Sequence, residues 1–261
     1  MADLEYSVAD GIGTIRLNRP ERKNAFTLDM VDQWAAVLGE ARTDPEVRVL
    51  ILTGTGDAFC SGVDLERRNE GRPATPLARK QVLSDQVHRI ALAMEDLDKP
   101  VIAAINGTAV GAGLDMALMC DMRIMARSAR ASEGYIRVGL VPGDGACYYL
   151  PRLVGVAKAL ELLLTGDFID ATEAARIGLV NHVVDEAELD NAVQALARKI
   201  ADGPPVVVRM IKRATYQSLR TDLRTSLDLI SSHTGVVGLM NDSAEAMAAF
   251  REKRKPRYTG T

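Results

Sequence analysis

Three stretches of this 261-residue chain gather residue types able to do chemistry. The first is Gly54-Thr-Gly-Asp-Ala-Phe-Cys-Ser-Gly-Val-Asp-Leu65, with three glycines in nine residues after an apolar run. Glycines let a backbone turn sharply and approach a ligand closely, and the competing reading is an ordinary loop. The second is Asn106-Gly-Thr-Ala-Val-Gly-Ala-Gly-Leu-Asp115, running into Met116-Ala-Leu-Met-Cys-Asp121. Strand, glycine-rich turn and helix start leave free backbone N–H groups aimed at negative charge. A dinucleotide fingerprint fails here, because after Gly111 and Gly113 the third glycine falls at Met116. Two such loops can each aim one N–H at a single carbonyl oxygen, an oxyanion hole that stabilises charge developing in a transition state. The third stretch, Glu133-Gly-Tyr-Ile-Arg-Val-Gly-Leu-Val-Pro-Gly-Asp-Gly145, brings Glu133, Tyr135 and Asp144 to a Pro-Gly turn. Asp144 reads equally as a proton-carrying acid and as the N-cap of the following helix.

The elements that must position these stretches are legible as patterns. Apolar segments 4–8 and 14–17 flank Asp10-Gly11, a hairpin dipeptide. Thr27 reads as an N-cap before Leu28, Val31, Ala35 and Leu38 on one helical face. Segments 47–52 and 101–105 are continuous apolar runs, as in strands covered on both faces, and each leads into a glycine-rich loop. Leu83, Val87, Ile90, Met94 and Leu97 mark a long amphipathic helix; 123–126 and 180–184 read as short strands. This alternation predicts an α/β core over 1–184. From 185 to 261 the pattern is helical throughout, with no linker separating it from the core, and predicts a docked helical region.

Composition excludes several classes. With 35 acids against 32 bases the net charge is −3, so there is no global attraction to nucleic acid, and an anionic ligand needs a local basic cluster. Aromatics are 4%, too few for base-stacking platforms. Cys60, Cys120 and Cys147 form no CxxC pair and lie far from the three histidines, which argues against a metal site or a disulfide framework. No apolar run reaches the ~20 residues that span a bilayer, and the expected setting is cytoplasmic. Ser61 sits in no GxSxG elbow, His88 and His182 read as structural, and the cysteines lack basic neighbours in sequence, so nucleophilic catalysis is not indicated.

Taken together, the motifs resemble the crotonase superfamily, the enoyl-CoA hydratase/isomerase family. The matching residues are Leu17-Asn-Arg-Pro20 with Lys23-Asn-Ala25, Ala58-Phe-Cys-Ser-Gly-Val-Asp-Leu65, and Lys99-Pro-Val-Ile-Ala-Ala-Ile-Asn-Gly107. They continue through Gly111-Ala-Gly-Leu-Asp115, Gly139-Leu-Val-Pro-Gly143, Leu164-Thr-Gly166, segment 171–184 and the ending Phe250-Arg-Glu-Lys-Arg-Lys-Pro-Arg-Tyr258. The resemblance runs end to end. It implies an α/β spiral of ββα units with a C-terminal helical trimerisation region, assembled as a homotrimer or dimer of trimers. It also implies an acyl-CoA thioester substrate with no cofactor beyond the CoA that the substrate carries. The oxyanion-hole N–H groups fall on Val63 and Ala112. CoA contacts fall on Arg22, Lys23, Ala25, Ser61, Asp64 and Leu65, and on Phe250 and Lys253 of the last helix. Asp57 and Glu66 stand where the family pattern often has lysine, so the phosphate contacts those lysines would make are not carried over to this chain.

The acids depart further. Typical hydratases place two glutamates where this chain has Asp115, shorter by one methylene, and Tyr135, whose phenol with a reference pKa of ~10 is a poor base but can donate a proton. Asp144 lies near where some isomerase members of the family carry an acid. The expectation is an enoyl-CoA hydratase- or isomerase-type enzyme that moves a proton with Asp115 and/or Asp144, with Tyr135 beside them. The alternatives are a helix-terminal charge for Asp115, worth about 0.3–1 kcal/mol, and a non-catalytic acyl-CoA binder for the whole chain. Glu133 is expected to face solvent or cap a turn, and Asp121 to be structural.

Overall fold

The computed structural model describes residues 2–66 and 75–261. Two sheets share the strands. The larger runs β1-β2-β3-β5-β7-β10 and the smaller β4-β6-β8-β9, where β1 is Leu4–Ala9, β2 Ile12–Leu17, β3 Val49–Gly54, β4 Ala58–Cys60, β5 Val101–Ile105, β6 Thr108–Val110, β7 Met122–Ala126, β8 Arg130–Ser132, β9 Ile169–Asp170 and β10 His182–Val184. Successive pairs β3/β4, β5/β6 and β7/β8 each give one strand to each sheet, so the chain winds as a spiral with helices between the turns. β1 and β2 form the antiparallel hairpin expected at Asp10-Gly11, both of which adopt positive φ. From β2 onward the larger sheet is parallel, and β3 and β5 are buried along their whole length, as parallel strands covered on both faces must be.

Thr27 caps the helix Leu28–Thr43 by accepting the Met30 N–H, and that helix buries Met30, Val31, Trp34 and Leu38 against the sheet. The helix expected around 83–97 begins earlier, at Pro76, and passes through a π-turn at Leu83–Val87 before continuing as His88–Asp96. The short strands of the smaller sheet carry too few residues for a periodic signal. The last strand ends at Val184, and helices follow at Leu189–Ala201, Pro205–Ser218, Leu223–Val237 and Asn241–Glu252. The first of these buries Leu189, Val193, Ala197 and Ala201 in the main core. The next two leave Ile211, Leu219, Leu223, Leu227 and Ile230 exposed. No helix among the described residues is long and apolar enough to cross a membrane.

Candidate active site

The two glycine-rich loops emerge side by side from β4 and β6. Gly113 shows how closely: a Cβ there would lie 2.1 Å from the Cys60 carbonyl oxygen. Gly62, at φ +95°, has room for a Cβ only at 3.0 Å from the Val110 carbonyl oxygen and 3.6 Å from the Ala112 nitrogen. The Val63 segment is pinned to Phe26, whose N–H donates to the Gly62 carbonyl while the Asp64 N–H donates to the Phe26 carbonyl. Neither the Val63 N–H nor the Ala112 N–H donates to a backbone acceptor among the described residues. Ala112 opens the helix Ala112–Leu118, so its N–H belongs to the unsatisfied first turn.

Asp115 sits in that same turn, 0% exposed. The Tyr135 hydroxyl lies 2.6 Å from Asp115 Oδ2 and 2.6 Å from Asp144 Oδ2. Tyr135 belongs to the 3-10 turn Gly134–Val138, and its ring packs over Gly111, which adopts φ +52°. Asp144 is buried in the loop ahead of the helix Ala146–Val154, whose N-cap is Gly145 rather than Asp144. The open choice between acid and cap therefore resolves against the cap. His88 Nε2 lies 2.8 Å from the Gly143 carbonyl oxygen and ties this loop to the helix His88–Asp96.

A phenol carries one hydrogen, yet Tyr135 makes two short oxygen–oxygen contacts. One contact takes the phenolic proton; the other needs a carboxylic acid proton, so the cluster holds a proton beyond that of the phenol. Desolvation is the main cause that pushes the Asp115 carboxyl up to about 8, with the charge of Asp144 adding to it and the Tyr135 hydrogen bond opposing. Burial and the two aspartates also drive the Tyr135 phenol far upward, keeping it neutral as a donor. Glu133 corrects the expectation of a solvent-facing residue: it is 1% exposed, beside Asp115, and its carboxyl is held well above the usual range by burial and by Asp115.

The positions expected at CoA lie at the mouth of the first loop. Arg22 pairs with Glu66 at 2.8 Å and Lys23 with Asp57 at 2.6 Å, all on exposed side chains, so the two acids that depart from the family pattern meet the two cations. Ser61 donates through its N–H to the Lys23 carbonyl and through its hydroxyl to the Arg22 carbonyl. Leu65 is half exposed and Ala25 buried. The Asp64 side chain turns inward, accepting from the buried Arg19 at 2.9 Å; Arg19 also donates to the Ala25 carbonyl. Asn24, at φ +57°, lashes the loop together through the Thr55 and Ala58 carbonyls. Arg19 and Asn24 are positioning residues that the sequence reading did not single out, although both lie within its quoted motifs. Phe250, 82% exposed, stands on the last helix and Lys253 is its C-cap, and no described contact links them to this loop. Asp121 is structural as expected, accepting from the Val101 N–H, Lys212 and Tyr216.

Comparison with known proteins gives the family and the fold. The family model for enoyl-CoA hydratase/isomerase matches residues 7–261. The short-chain-enoyl-CoA hydratase of Clostridium acetobutylicum is 39% identical over 246 residues, 94% of this chain and 92% of that protein. The 1,2-epoxyphenylacetyl-CoA isomerase of Escherichia coli is 38% identical over 257 residues, 97% of each. The crystal structure of an enoyl-CoA hydratase from Bacillus anthracis superposes with a TM-score of 0.94 at 35% identity, covering 100% of both chains. The chain belongs to the enoyl-CoA hydratase/isomerase family of the crotonase superfamily.

Proposed function

We propose that this protein moves the double bond of an enoyl-CoA thioester by proton transfer through a thioester enolate. The observation that carries the reading is Tyr135, 2.6 Å from each of Asp115 and Asp144. The thioester carbonyl oxygen accepts from the Val63 and Ala112 N–H groups, which favour the negative charge that develops there. An ionised carboxylate of the pair takes a proton from one carbon, the carbonyl oxygen becomes an enolate oxygen, and a carboxylic acid of the pair returns a proton at the other carbon. Tyr135 joins the two aspartates, so either can be recharged from the other without solvent.

The CoA moiety lies, in this reading, along Arg22, Lys23, Ala25, Ser61 and Leu65, with Asp64 holding the loop. Phe250 and Lys253 reach it from a neighbouring subunit of a homotrimer or dimer of trimers. The exposed apolar faces of Pro205–Ser218 and Leu223–Val237 support such an assembly. No cofactor beyond the substrate's own CoA enters any step.

Steady-state assays with a 3-enoyl-CoA and with crotonyl-CoA test the proposal. Double-bond migration with little hydration is the expected result. Hydration alone would assign the hydratase reaction instead, and tight binding with no turnover at any chain length would make the protein a non-catalytic acyl-CoA binder.

A further inference from the structure

Glu133 is a buried acid that the proposed reaction does not use. Both of its carboxyl oxygens, and Asp115 Oδ1, are buried with no hydrogen-bond partner among the described residues. The two carboxyls face one another: Asp115 lies on the helix Ala112–Leu118, and Glu133 follows β8 directly. The other titratable groups bearing on Glu133 are Asp144, from the loop before Ala146–Val154, and Cys147 on that helix. None of these is a cation, and among the described residues no lysine, arginine or histidine forms an ion pair with Asp115 or Glu133. Two ionised carboxylates cannot share such a site, whereas one proton between them gives both a partner.

We propose that Glu133 is a positioning residue that holds a proton against Asp115 Oδ1 and thereby fixes the charge state in which Asp115 works. This rests on the reading of Asp115 as the proton-handling group. With Glu133 protonated and donating, Asp115 gives up its proton at a lower pH than it would alone, and its carboxylate then accepts from Glu133 on one oxygen and faces Tyr135 with the other. Without that donor, a lone Asp115 carboxylate in the same pocket costs more and takes up a proton at higher pH. Burial and the Asp115 charge also hold the Glu133 carboxyl neutral well above its ordinary range, in keeping with this role.

Two substitutions separate positioning from packing. Glu133→Gln keeps a donor of the same size, and Glu133→Leu removes it. In Glu133→Leu the acid limb of the kcat/KM profile should move up by about one pH unit, a roughly tenfold loss below it. Glu133→Gln should leave that limb near its original place and extend the alkaline limb, because an amide cannot lose the proton. Coincident profiles for all three proteins, with differences only in Tm, would overturn the proposal. A readout independent of turnover is the infrared carbonyl stretch of a protonated carboxyl, taken as a wild-type minus Glu133→Gln difference at mildly alkaline pH. The band should be present and should shift in Asp115→Asn. Its absence, or an unmoved band in Asp115→Asn, would overturn the proposal even if no enoyl-CoA is turned over, so its failure is distinct from failure of the functional reading.

Discussion

Asp57 and Asp115 are the same side chain in opposite surroundings. Asp57 stands at the loop mouth with its side chain 75% exposed and meets Lys23 Nζ at 2.6 Å and 2.8 Å. Those hydrogen bonds and the ammonium charge hold its carboxyl below the ordinary range. Asp115 has no exposed surface, faces other acids, and is pushed up to about 8, mainly by burial. Removing water and replacing a cation by a second carboxyl reverses the direction of the shift. The mouth therefore keeps paired, ionised charges, while the interior favours protonated carboxyls.

The comparison breaks most clearly if the interior acids prove dispensable. Asp115→Asn, Asp144→Asn and Tyr135→Phe should each lower kcat by about 10²–10⁴-fold, the usual contribution of a positioned acid or base. Tyr135→Phe is the most diagnostic, because it leaves both carboxylates in place and removes only the link between them. Single-turnover kinetics that match wild type for all three would refute the catalytic assignment.

Backbone approach comes next. Gly113→Ala places a methyl 2.1 Å from the Cys60 carbonyl oxygen, so one of the two loops must move. A cost of roughly 1–3 kcal/mol is expected, seen as a fall in Tm of about 2–4 °C per kcal/mol, together with loss of turnover. Full activity in this variant would show that the spacing of the loops is not what positions the Val63 and Ala112 N–H groups.

A smaller effect has a definite sign. Asp115 binds its proton more tightly in the folded chain than in the unfolded one, where the ordinary value of 3.8 applies. Its contribution to stability is therefore present below about 4 and is lost as pH rises toward about 8. Asp115→Asn is neutral at every pH, so its Tm relative to wild type should climb between those limits. A Tm difference that is flat with pH would mean that Asp115 ionises normally and that the contrast with Asp57 is false.

Much of this was legible in the chain, for reasons that can be named. The parallel strands β3 and β5 announce themselves because strands covered on both faces must be apolar throughout, and Thr27 because a cap needs a short oxygen-bearing side chain. The loops at Gly62 and Gly113 were found for the same reason that they can lie side by side: glycine tolerates such close approach. Strands β4, β6, β8 and β9 have only two or three residues and leave no periodic trace. Glu133 was misplaced because it stands two residues before the acid position at Tyr135, and nothing local reports that two other acids lie across the pocket. The pairing of Arg22 with Glu66 and Lys23 with Asp57 spans more than thirty residues and needs the fold to appear.

Those pairs supply the smallest and most conditional effect. If Arg22 and Lys23 hold CoA phosphates, then Asp57 and Glu66 compete with the ligand for the same cations. Asp57→Asn and Glu66→Gln should each lower KM for an acyl-CoA, but only modestly, because an exposed pair contributes about 0–1 kcal/mol, which is up to roughly fivefold. The gain should fade as salt is raised, since screening shortens the reach of exposed charges to about 3 Å at 1 M ionic strength. The matching acyl-pantetheine thioester carries no phosphate and should show no change in KM in either variant. An equal effect on both thioesters would mean that the acids act on the loop's conformation rather than on its charge. The mouth would then be a shaped surface, as the interior is, and not an electrostatic one.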